Sequence, residues 1–153
     1  MKLAEALAAR ADAQGRLQEL RGRIVDNARH QEGDEPAEDP NALLEEADRV
    51  AVELGRLVRA INATNAATSV DGNGTITDAI AQRDALAARR RILADAAGAA
   101  AGGHGMRMMR SELRLVSALD VPVLRRRMDE LARERRQLDL RIQAADWVTE
   151  LLE

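Results

Sequence analysis

Six residues of this chain carry side chains that could act together on a substrate. Asn62, Thr64, Asn65 and Thr68 lie in the phrase Ile61-Asn-Ala-Thr-Asn-Ala-Ala-Thr68, and Arg83 with Asp84 follow beyond the next turn. Asp84 could serve as a base and Arg83 as an anion clamp, with the amides and hydroxyls orienting a small ligand. The same six residues could instead satisfy one another. Polar groups that continue a buried apolar stripe must find partners, because an unsatisfied buried amide costs about 1–3 kcal/mol, and polar groups inside helical bundles commonly fix helix register. The second account is favoured, so the six are read as a polar hub, for binding or for structure, between helices two and three, and no residue is assigned as catalytic.

Metal chemistry has three weaker candidates. Residues 31–48 hold eight acids and no base, but Gly33, Pro36 and Pro40 make the first part of that run a loop, with Asp39 capping the helix that follows. Asp26 and His30 stand one helical turn apart, half of a metal site, and a solvated helix end explains them as well. Asp71-Gly-Asn-Gly-Thr-Ile76 imitates the middle of a calcium-binding loop, yet Ile80 stands where the closing bidentate Glu belongs. Glycine-permitted turn chemistry followed by a capping box, Thr75 with Asp78, accounts for that stretch. No metal and no cofactor is expected.

The elements that position these residues read as long amphipathic helices. Leu3, Leu7, Ala11, Leu17, Leu20, Ile24 and Ala28 recur at helical spacings of three and four, apart from a gap at Gln14, and Leu43, Ala47, Val50, Leu54, Leu57 and Ile61 form a clean heptad. Ile76, Ile80, Leu86, Leu93 and Ala97 continue the pattern, with Arg83 and Arg90 on the same stripe. The last helix carries Leu124, Met128, Leu131, Leu138 and Ile142, and near its end a second stripe of Leu140, Ala144, Trp147 and Leu151. The spacing predicts helices over about residues 2–30, 40–66, 76–98 and 121–152 in a single helical domain. An acidic loop spans 31–39 and a Gly-rich loop 98–110, where Met106, Met108 and Met109 could form an adaptable contact surface, although glycine-flanked methionines more often have no specific task. Alternation near 111–117 predicts one short extended segment. The fold class expected is all-α, an antiparallel bundle of four long helices with coiled-coil-like packing.

Composition narrows the function. The 153 residues include no Cys, no Phe, no Tyr and one Trp, so disulfides, thiolate metal sites and cysteine nucleophiles are absent and the core must be built from Leu, Ile, Val, Met and Ala. No apolar run reaches the ~20 residues needed to span a bilayer, and Glu5 and Arg10 interrupt any export-signal pattern, so a cytoplasmic protein without membrane contact is expected. The net charge of -3 is uneven, with acids in excess towards the N-terminal half and bases towards the C-terminal half. Nucleic-acid binding through Arg125, Arg126, Arg127, Arg133, Arg135 and Arg136 is disfavoured by the interleaved Asp129, Glu130, Glu134 and Asp139 and by the lack of stacking aromatics.

The phrases Gln31-Glu-Gly33, Glu38-Asp-Pro40, Ile61-Asn-Ala-Thr-Asn65, Thr75-Ile-Thr-Asp-Ala-Ile80 with Arg83-Asp84, and Ile142-Gln143 with Trp147 resemble an uncharacterised family of small all-helical bacterial proteins, some of them labelled septicolysin. The resemblance spans nearly the whole chain. It implies a helical fold and brings no established activity. The function expected is therefore that of a structural or interaction protein that self-associates through its last helix. A small-ligand binder or enzyme working from the hub is the alternative, and a nucleic-acid-associated protein is the third.

Overall fold

The computed structural model describes residues 1–102 and 116–152. Four long helices follow one another: α1 (Leu3–Asn27), α2 (Pro40–Ala67), α3 (Ile76–Ala100) and α4 (Val121–Val148). Among the described residues extended pairing is confined to two isolated antiparallel bridges, Lys2 with Glu150 and Ser69 with Thr75. The all-α class is as expected. The extended segment predicted near 111–117 lies outside the described residues apart from Val116 and Ser117, which belong to no helix or strand, and Met106, Met108 and Met109 lie outside them too.

Local chemistry explains where the helices start. Asp39 accepts a hydrogen bond from the Asn41 N–H, with Pro40 at the first helical position of α2. Thr75 and Asp78 form the predicted capping box of α3, and the Asp120 carboxylate accepts from the Val123 N–H at the start of α4. Two ends fall short of expectation. α1 stops at Asn27, whose buried side chain donates to the Arg23 carbonyl and accepts from the Glu38 N–H, turning the chain towards α2. α4 stops at Val148, because Thr149 to Leu151 leave the helix to pair with the first residues of the chain.

The chain divides into two compact units, Met1–Thr68 with Ala145–Glu153, and Ser69–Ala144. In the first, α1 and α2 run antiparallel: Arg16 bonds Glu46 of α2 and, further along α1, Arg23 bonds Glu38 just before α2 begins, so the start of α2 lies towards the end of α1. Leu3, Ala6, Leu20, Leu43, Leu57 and Ile61 are its buried apolar side chains. In the second, Arg83 approaches Asp139 at 3.9 Å, and Arg89 and Leu93 share a groove with Arg127 and Leu131, so α3 and α4 are antiparallel as well. Val70, Ile76, Ala79, Leu86, Ala97, Leu124, Leu131, Leu138 and Ile142 are buried there. These are mostly the predicted heptad positions, which a two-helix contact repeats every three to four residues.

Candidate functional site

Thr64 sits where the α2 heptad runs out of apolar residues, and it is wholly buried. Its hydroxyl donates to the Ala60 carbonyl at 2.8 Å, a back-bond one turn up its own helix, and accepts the Leu152 N–H at 2.9 Å. One hydroxyl thereby ties α2 to the extended segment after α4. That segment is held from the other side too. Leu3 N–H donates to the Thr149 carbonyl and Leu151 N–H to the Met1 carbonyl, each at 2.9 Å, while Lys2 Nζ reaches the Val148 carbonyl at 3.0 Å and the Glu150 carboxylate at 2.7 Å. The Lys2 hydrogen bond holds the Glu150 carboxyl below its ordinary value.

The other hub residues are placed differently. Asn62 is exposed and Asn65 half-buried on α2, and Thr68 ends that helix with its N–H on the Thr64 carbonyl. Arg83 and Asp84 belong to the second unit. There the guanidinium donates to the neighbouring Asp84 at 2.9–3.0 Å and approaches Asp139 of α4. Asp84 is two-thirds exposed. Thr64 and the Arg83–Asp84 pair therefore each have partners of their own, and those partners belong to different units.

The turn between α2 and α3 is closed by the Val70 N–H on the Gly74 carbonyl at 2.8 Å and the Asn73 N–H on the Val70 carbonyl at 3.1 Å. Gly72 and Gly74 take positive φ, as does Asp71 at 52°, a conformation that Asp tolerates better than most residues. The Asp71 carboxylate accepts from Arg141 Nε at 2.6 Å, so an arginine occupies it. Among the described residues no three His, Asp or Glu side chains gather as a metal would require. In the acidic run, Glu38, Asp39 and Glu46 serve the α1–α2 junction through Arg23, the α2 cap and Arg16.

Residues 10–151 match a family described as one of unknown function, DUF6847. The chain belongs to that family. It is similar to the crystal structure of a functionally unknown conserved protein from Corynebacterium diphtheriae, with 41% identity, 99% of each chain covered and a TM-score of 0.92. No curated protein matches it. An uncharacterised helical family is what the asparagine-threonine phrase implied. All six hub residues fall inside the span matched to the family, whereas Lys2 and Leu152, which hold the ends of the terminal pairing, fall outside it.

No helix is long and apolar enough to cross a membrane among the described residues. Sequence reasoning missed three features. One is the Lys2–Glu150 pairing, which joins the two ends of the chain and has no local pattern. The second is Asn27, whose partners at Arg23 and Glu38 leave no pattern in the sequence. The third is Val148, 72% exposed beside Trp147 at 69%, with Leu140 at 66% on the same helix. The predicted second stripe holds through Leu140, Ala144 and Trp147, but Leu151 lies past the end of α4 and is not on that helical face.

Proposed function

We propose that this chain is an interaction protein that associates with copies of itself through the apolar face near the end of α4. The observation that carries the reading is the exposure of Trp147, the only Phe, Tyr or Trp in the chain. A solitary aromatic is ordinarily spent in the core, since burying its ring removes 150–250 Å² from water. Here Trp147 lies on the surface beside Val148, with Ala144 and Leu140 one and two turns back. Tryptophan is among the side chains enriched where interfaces draw most of their binding energy. A symmetric pairing of this face with its own copy would supply the second partner that the second stripe implies.

The polar hub has an architectural part in this reading. The Thr64 hydroxyl uses its proton and a lone pair on the protein itself, and Arg83 is committed to two carboxylates, which favours register-fixing over substrate handling. Sedimentation velocity on the full chain tests the assembly. The expected result is a concentration-dependent oligomer that Trp147→Ala weakens by about tenfold or more. A monomer at every concentration, or an oligomer indifferent to that substitution, overturns the reading.

A further inference from the structure

The first unit contains a groove of about 590 Å³. Leu57, Ala60 and Ala63 of α2 line one side, and Met1, Leu151 and Leu152 line the other. Its origin is legible in the packing. The segment carrying Leu151 and Leu152 is fixed by the Thr64 hydroxyl and the Met1 carbonyl, and the short side chains of Ala60 and Ala63 leave the space beside it unfilled. The volume lies within the ~300–1,000 Å³ of small-molecule sites, and mostly apolar walls with a few charged groups are the usual composition of such sites.

The charged side chains are Glu53, Arg56 and Arg59, and the Met1 ammonium is paired with Glu150. Glu53 lies 3.7 Å from Arg56 and offsets it, whereas Arg59 has no ion pair within 4 Å among the described residues. The groove thus joins an apolar channel to one uncompensated guanidinium, whose planar fork matches a carboxylate through two parallel hydrogen bonds. We infer that this groove binds a single-chain amphiphilic carboxylate, with its tail along Leu57, Ala60, Ala63 and Leu152 and its head on Arg59. The apolar lining disfavours short acids, since most of the affinity must come from buried methylenes. Arg59, unpaired among the described residues, selects a monoanion over a neutral chain of the same length.

The test uses the full-length protein, isotope-labelled, titrated with decanoate below its micelle concentration, with decanol and butyrate as comparison probes. Decanoate is expected to shift the resonances of Leu57, Ala60, Ala63 and Leu152, with decanol and butyrate each weaker by about tenfold or more. Arg59→Gln should reduce decanoate binding to the level of decanol and leave decanol unchanged. Ala63→Leu fills the groove from an exposed helix position and should abolish binding of both, while Trp147→Ala should leave it intact. Equal binding of decanoate and decanol, survival of binding in Ala63→Leu, or loss in Trp147→Ala would each overturn the assignment, the last by showing adsorption to the exposed end of α4.

Discussion

The two helical hairpins solve the same problem with different means. In the first unit, Arg16 of α1 reaches Glu46 of α2, Arg23 reaches Glu38 in the connecting loop, Asn27 stitches that loop to the helix end, and the two ends of the chain pair as extended backbone. In the second, a tight glycine turn leads into α3, α3 begins at a capping box, and the cross-helix ion pair is a loose 3.9 Å. Of the five largest fully buried side chains, Leu3, Leu20, Ile61 and Thr64 belong to the first unit and only Ile76 to the second. The sequence of the first unit holds sixteen acids against nine bases, that of the second ten against fourteen. Exposed ion pairs contribute about 0–1 kcal/mol each, so the arginine bridges do not decide which unit is the firmer. Burial separates them in kind: among the described residues the second unit has more buried apolar side chains, but the first has most of the wholly closed ones, so a truncation should cost most there.

The largest effect that could break this comparison is in the cores. Leu20→Ala, at a fully buried site, should cost near the top of the ~2–5 kcal/mol range for such truncations, and Leu131→Ala, which keeps some contact with water, should cost less. Urea unfolding of the two variants measures both. Equal losses would mean that the second core is as tightly closed as the first. Asn27→Ala comes next. It leaves the Glu38 N–H without its acceptor and frees the α1 end, at about 1–3 kcal/mol. Thr75→Ala removes one half of the α3 cap for about 0.5–2 kcal/mol. Hydrogen exchange should show the first change loosening the α1–α2 junction and the second loosening the start of α3, each without reaching the other.

The acid response sharpens the same contrast with smaller effects. Hydrogen bonds from Arg16, Arg23 and Lys2 hold the carboxyls of Glu19, Glu38 and Glu150 below their ordinary value of 4.5, all in the first unit, while in the second the Thr75 N–H and hydroxyl hold Asp78 below 3.8. Lowered folded values mean stability that is present above the unfolded values and lost as pH falls through the folded ones. The urea midpoint should therefore decline from about pH 5 downward, and Lys2→Met should flatten part of that decline. Asp146 goes the other way. Burial raises its carboxyl, so its contribution is present at low pH and lost as pH rises, and Asp146→Asn should modestly stabilise the protein at neutral pH.

What could be read in the chain beforehand was whatever repeats or whatever is local. Leu43, Leu57 and Ile61 recur with the helix, and Asp39-Pro40 and Thr75 to Asp78 announce helix starts within four residues, so the helices and their caps were legible. Thr64 was legible as a polar residue on a buried stripe, but its partner was not. The Leu152 N–H belongs to the backbone, which carries no sequence signal, and lies far along the chain. Arg83 and Asp84 were expected to meet the asparagine phrase, because they are the next charged residues after the turn in which both kinds of charge stand together. Adjacent in sequence, they bond each other, and α4 supplies Asp139. The groove was illegible for a similar reason: Ala60 and Ala63 read as good helix formers, and only the segment placed beside them makes their small size matter.

Self-association through the end of α4 is the central claim, and the single tryptophan makes it directly measurable. The emission of Trp147 should be followed over a dilution series of the full chain at constant salt. The account predicts a blue-shifted spectrum at high concentration that moves to the red on dilution, as a ring 69% exposed in the single chain passes from an interface into water. A red, solvent-exposed spectrum that does not change over the whole series would contradict it.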